Sequence, residues 1–229
     1  MTNDNDISTE AINFNSSLLS WDPMLSVEDQ KEIVSSLPHL IQPHHNTMLW
    51  VIPNYQEVKQ LFQNIAKTHG SIDGLINGVG TLQIKEFHLL SQEEMQETIN
   101  SNLMSIIYCC KCAQIKKGGH IINISSSSYS KGRKDYPIYS ASKAAVVNFT
   151  QGLAEARPDL CINVIVPQRT NTSLRRTHFP LEDKNSLLQP EEIADKISSL
   201  LKSSSCTGSI LEVRKKYSFK PKTTEKIDS

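Results

Sequence analysis

A parallel, doubly wound sheet covered by helices, of the α/β class, is the fold that this 229-residue sequence predicts. Three observations point to it. The short continuous apolar run at residues 48–52 (Met-Leu-Trp-Val-Ile) and the apolar-rich segments 72–76 and 161–166 read as strands, the first two buried in a sheet. Segments with apolar residues at helical spacing separate them, and each is long enough to cross over the sheet. Capping residues and glycines stand where one period gives way to the other.

The elements follow in chain order. Residues 1–47 carry seven acidic residues against one basic and contain no glycine. Their clearest signals are a helix over 26–37, with Ser26 and Asp29 in a capping pattern, and a break between Pro38 and Pro43. The strand 48–52 ends at Pro53. Asn54 then caps a helix whose Tyr55, Val58, Leu61, Phe62 and Ile65 share one face, and Gly70 ends it. The strand 72–76 runs into an Asn77-Gly78-Val79-Gly80 turn. A long helix is expected over 93–113, with Met95, Ile99, Leu103, Ile106 and Ile107 inward, and Gly118-Gly119 separate it from a strand over 120–125. A polar loop over 126–137, a helix over 139–156 and the strand 161–166 come next. The signal Gln189-Pro190-Glu191-Glu192 starts a helix to about residue 202, and a last strand spans 209–213. These boundaries predict an atypical segment 1–47, one domain over 48–216 and a basic tail over 217–229.

Composition narrows the function. The 24 basic and 24 acidic residues cancel, which removes any general argument for nucleic-acid binding. No run of 18 apolar residues offers a membrane span, and Asn3, Asp4, Asn5 and Asp6 stand where a secretory leader would be basic, so a soluble, cytoplasmic protein is expected. The cysteines number five, and Cys109, Cys110 and Cys112 crowd one apolar stretch. They read as small buried hydrophobes, with no metal site expected.

Chemistry concentrates in Tyr139-Ser140-Ala141-Ser142-Lys143. Four residues apart on a helix, the phenol and the ammonium share one face and can act on the same atom. At about 4 Å and an effective dielectric near 20, the ammonium would favour the phenolate by about 4 kcal/mol. That corresponds to roughly three pKa units, enough to bring the phenol near pH 7. Ser126 lies at the carboxyl end of a strand, where a parallel sheet presents ligands, and its hydroxyl can bond a substrate carbonyl beside the phenol. Asn102 falls mid-helix, where its propensity is poor; either it is an exposed helix residue, or it supports a water that links Lys143 to solvent.

This set resembles the short-chain dehydrogenase/reductase family over about residues 48–215. The resembling residues are Asn77-Gly78-Val79-Gly80, Asn102-Leu103, Asn123-Ile124-Ser125-Ser126, the Tyr139 to Lys143 motif, Asn163 to Pro167 with Thr172, and Thr207-Gly208. The resemblance implies a Rossmann-type fold and reduction of a small carbonyl compound by NADPH or NADH, with pairing of like chains through the helices 93–113 and 139–156. It makes Tyr139 the proton donor, Lys143 the group that lowers its pKa and holds the nicotinamide ribose, Ser126 the carbonyl holder and Asn102 part of a proton relay. Asn77, Gly78, Gly80, Pro167 and Thr172 would line the cofactor cleft. A narrower similarity, in residues 167–175, 186–192 and 212–216, is to sugar-phosphate reductases of the ribulose-5-phosphate type. There Arg169 and Arg175 would bind phosphate oxygens bidentately. The chain departs from the family in its glycines, because its first glycine is Gly70 and no glycine-rich turn precedes it. Only 47 residues precede Met48, against on the order of 60 for a full first half. An active reductase, a silent relative that keeps the fold for interactions and a fragment that binds no cofactor are the readings open at this point.

Overall fold

Asn54 starts the first helix as expected. Its side chain accepts from the backbone N–H groups of Gln56 and Glu57, which the helix itself leaves unpaired. The computed structural model describes residues 54–203 and 207–215, so the segment 1–47, the strand 48–52 and the tail 217–229 lie outside the described residues. Helix α1 (Tyr55–His69) buries Val58, Phe62 and Ile65. It stops at Gly70, whose φ of 71° an L side chain rarely adopts. Strand β1 (Ile72–Asn77) follows.

The single helix expected over 93–113 is divided. Ser91 and Glu94 cap each other's backbone N–H to start α2 (Gln92–Ile99). A wider π-helical turn, Asn100–Met104, then leads into α3 (Ser105–Cys112). Such a turn re-aims side chains that a regular helix would place elsewhere, and here Asn102 is turned fully inward, at 0% exposure.

Gly118 and Gly119 do not separate helix from strand either. Strand β2 (Ile115–Ile124) begins before them and runs through both. The register shifts there, with Ile72 opposite Ile115 but Gly74 already opposite His120. Gly118 takes a φ of 79°, and a Cβ on Gly119 would lie 2.7 Å from the Asp73 carbonyl oxygen. The glycines make the irregularity possible rather than end the strand.

Helix α4 (Pro137–Ala156) starts two residues earlier than expected, since proline suits the first helical position. Strand β3 (Cys161–Pro167) is buried along almost its whole length. A six-residue helix that periodicity does not reveal, α5 (Ser173–His178), precedes α6 (Pro190–Leu201), which starts at a reciprocal Gln189–Glu192 cap. Strand β4 (Ile210–Val213) closes the described chain.

All neighbours pair parallel, in the order β1-β2-β3-β4. Ile121, Ile162, Val164 and Val166 face Ile106 of α3 and Val146 and Val147 of α4. Ile122 and Ile165 face Ala194, Ile197 and Leu200 of α6 on the other side. Covering both faces removes the central strands from water, at about 1.5–3 kcal/mol for each large aliphatic side chain. Cys109 and Cys110 belong to this interior, and burial pushes both thiols up to about 12. Among the described residues, no three His, Cys, Asp or Glu side chains converge as metal ligands, and no helix is long and apolar enough to cross a membrane.

Candidate active site

Parallel pairing puts the carboxyl ends of β1, β2 and β3 at one edge, with Asn77 opposite Asn123 and Ile124 opposite Ile165. The segments that leave this edge carry Gly78 to Thr81, Ser125 to Ser128 and Gln168 to Thr172, and the first turns of α4 carry Tyr139 and Lys143. Four of the residues expected on sequence grounds therefore gather in one place: Ser126, Tyr139, Lys143 and Asn102.

Lys143 is 4% exposed, and its Nζ donates to the Ile124 carbonyl oxygen at 3.2 Å. Burial pushes the ammonium down to about 8. Its Nζ sits 5.8 Å from the centre of the Tyr139 ring. Tyr139 is half-buried and packs edge-on against Tyr136, with ring centres 5.8 Å apart. The phenol feels the neighbouring Ser126 side chain and the Arg175 guanidinium, both of which favour the phenolate, while Tyr136 opposes it. Burial outweighs them and holds the phenol above its ordinary value. This corrects the sequence expectation that Lys143 brings it near pH 7. Burial is the largest influence on the phenol, and the Lys143 Nζ donates to the Ile124 carbonyl at the end of β2.

Asn102 is not the exposed residue that its position allowed. Its Oδ1 accepts from the Thr81 N–H at 2.7 Å, while its Nδ2 donates to the Thr81 carbonyl at 3.0 Å and to the Ser142 hydroxyl at 3.2 Å. Ser142 in turn donates to the Tyr139 carbonyl. The amide thus ties the β1 turn to the start of α4 and acts by position, with its oxygen and both its hydrogens engaged. Gly80 makes this approach possible: a Cβ there would lie 2.8 Å from Asn102 Oδ1 and 3.0 Å from Lys143 Nζ. At Gly78 a Cβ would meet only Ile124, at 3.9 Å.

Of the other expected residues, Asn77 points its amide into the interior, donating to Asn123 Oδ1 at 2.8 Å and to the Cys110 sulfur at 3.4 Å. Asn123 passes the chain on to Thr150, so β1, β2, α3 and α4 are locked together beneath the site. Pro167 ends β3, and Thr172 caps α5 by accepting from the Arg175 N–H. Arg169 and Arg175 are both engaged by Glu182, which spacing alone did not reveal. Ser142, Thr81 and Tyr136 were missed as well. Ser142 stood inside the Tyr139 to Lys143 motif, and the other two had no separate signal.

The short chain dehydrogenase family model matches residues 25–182, which includes every member of this cluster. The chain belongs to the short-chain dehydrogenase family. The match begins upstream of the residues that carry the sequence resemblance, inside the glycine-free segment. Among relatives of this short-chain dehydrogenase is the bifunctional ribulose 5-phosphate reductase/CDP-ribitol pyrophosphorylase Bcs1 of Haemophilus influenzae, 34% identical over 71% of this chain and 35% of the relative. The chain spans 35%, 51% and 63% of the lengths of three curated relatives that it matches. Aldohexose dehydrogenase of Thermoplasma acidophilum, in ligand-free form, superimposes with a TM-score of 0.70 at 25% identity, over 80% of this chain and 88% of that one. A short chain dehydrogenase from Escherichia coli CFT073, solved with NADPH, gives 0.66 at 25% identity over 72% of each chain. Within this short-chain dehydrogenase, Ser126, Tyr139 and Lys143 stand at the carboxyl edge of the sheet, where an α/β fold places its ligands.

Proposed function

We propose that the chain is an NAD(P)-dependent reductase of a small, anionic carbonyl compound, with a ketose phosphate such as ribulose 5-phosphate as the preferred substrate class. The observation that carries this reading is the gathering of Ser126, Tyr139 and the buried Lys143 ammonium at one edge of a parallel sheet.

The residues present suit the nicotinamide end of such a cofactor. Lys143 has three N–H donors and, among the described residues, one acceptor, the Ile124 carbonyl. A buried ammonium in that state calls for further acceptors, and ribose hydroxyls supply them. Gly80, bare of a side chain, leaves the approach to Nζ open. When bound, the nicotinamide supplies the hydride that adds to the carbonyl carbon. Tyr139 gives its proton to the carbonyl oxygen, and the product is an alcohol. Ser126 holds that oxygen with its hydroxyl, and the Lys143 ammonium favours the phenolate left behind. A phenol kept neutral by its surroundings is suited to the donor role in this direction.

A substrate role for Arg169 and Arg175 is supported by the influence of the Arg175 guanidinium on the Tyr139 phenol and by Glu182, which joins the two arginines. The similarity to a ribulose 5-phosphate reductase supports a phosphate as the group that they receive. Assembly of like chains through the helices that carry Asn102 and Lys143 belongs to the same reading.

The test compares turnover of ribulose 5-phosphate and ribulose under identical cofactor conditions. A phosphate held by two guanidiniums is expected to raise kcat/KM by about 10²-fold or more, since charged hydrogen bonds contribute about 1.5–3 kcal/mol each. Equal values would remove the role given to Arg169 and Arg175.

A further inference from the structure

We propose that Glu182 sets the affinity of this site for anions by holding the place on Arg169 and Arg175 that the substrate's phosphate must take. The proposal rests on the reading of the site as a receiver of an anionic carbonyl compound.

Glu182 Oε1 accepts from Arg169 NH1 at 2.6 Å and from Arg175 NH2 at 3.0 Å, and Oε2 accepts from Arg175 Nε at 2.7 Å. This is the two-oxygen fork by which a guanidinium also binds a phosphomonoester. Arg175 is fixed for the purpose, its guanidinium lying 3.6 Å from the centre of the Phe179 ring. The Glu182 carboxylate therefore presents to the arginines what a ligand would present, from within the chain.

Two features make the contact displaceable. A pocket of about 180 Å³ adjoins it, and Arg175, Arg176 and Lys184 bring three cations to its lining against the single carboxylate of Glu182. Asp183, next in the chain, is turned to its own backbone, where it accepts from the Asn185 N–H. Leu181, next to Glu182, is 99% exposed and packs against nothing that would resist its movement, whereas Leu187 and Leu188 are buried and anchor the chain beyond it. Release of Glu182 frees the guanidiniums of Arg169 and of Arg175, the latter on the wall of a cationic pocket, and a dianionic phosphate neutralises them better than one carboxylate does.

The substrate phosphate must then compete with an internal carboxylate, and Glu182 acts as a specificity-setting residue. It lowers the affinity for any ligand that needs the two arginines and leaves ligands that do not need them untouched.

The experiment titrates inorganic phosphate into the cofactor-free full chain by calorimetry, for the natural protein and for Glu182→Gln. Gln keeps the size and one acceptor oxygen but loses the charge. Binding in the variant is expected to be about tenfold tighter, and the KM for ribulose 5-phosphate is expected to fall in parallel while that for ribulose stays unchanged. Unchanged or weaker phosphate binding by a folded Glu182→Gln protein overturns the proposal. If that variant does not fold, Glu182→Asp decides: it keeps the charge but is one methylene too short to span both arginines, so a smaller gain is expected and no gain overturns the proposal. If the natural protein turns over ribulose and its phosphate equally, the substrate reading fails, while the phosphate titration still decides whether Glu182 competes.

Discussion

Tyr139→Phe is expected to lower carbonyl reduction by about 10²- to 10⁴-fold, the range usual for loss of a positioned acid. The fold should be almost unaffected. Phenylalanine keeps the edge-on contact with Tyr136, and Ser126 keeps its bond from the Ser128 N–H. What is lost is the phenolic hydroxyl beside Ser126, at most about 0.5–1.5 kcal/mol. Initial rates and denaturant melts of the same preparations separate the two effects. A variant that retains full activity would show that the proton comes from elsewhere.

Lys143→Met is expected to divide stability from function. In the folded chain the ammonium is pushed down to about 8, against an ordinary value of 10.5 for the unfolded chain. Between those values the unfolded state binds a proton that the folded state has released, so for this group stability rises with pH from about 8 to 10.5. Below about 8 both states are protonated, and the folded one carries the full cost of a buried charge. Removing that charge while keeping the aliphatic length should stabilise the cofactor-free protein by about 1–3 kcal/mol at pH 7. The gain should shrink as pH approaches 10. Turnover should be lost, because Met offers no donor to a ribose hydroxyl and no charge to the phenol. Melts of both proteins at pH 7 and pH 10 read the difference directly. A destabilised variant at pH 7 would mean that the bond to the Ile124 carbonyl outweighs the buried charge.

Much of the site could be read before any coordinates, for identifiable reasons. The pairing of Tyr139 with Lys143 follows from helical geometry, and the placing of Ser126 follows from the end of an apolar strand. Both are local. Asn102 was conspicuous by its poor helical propensity, but its partners Thr81 and Ser142 depend on a π-helical turn, which leaves no mark in the 3.6-residue period. Glu182 lies thirteen residues beyond Arg169, and only the path of α5 and its following turn brings them together. The sense of the Tyr139 shift was misjudged because a pairwise charge estimate omits burial, the largest influence on the phenol. In the fold, Gly118 and Gly119 looked like punctuation. Their role as an irregularity inside β2 required sight of Asp73 on the neighbouring strand.

The central claim is that this chain holds a nicotinamide cofactor against Tyr139 and Lys143 although no glycine precedes Gly70. The most direct measurement is a calorimetric titration of the purified full chain with NADPH and with NADH, with tryptophan fluorescence followed in parallel. The expected result is saturable binding of one of them at micromolar concentration, one molecule per chain, weakened in Lys143→Met. Absence of binding up to millimolar concentration by a folded protein would contradict the claim, and the gathered Ser126, Tyr139 and Lys143 would then be a site without its reductant.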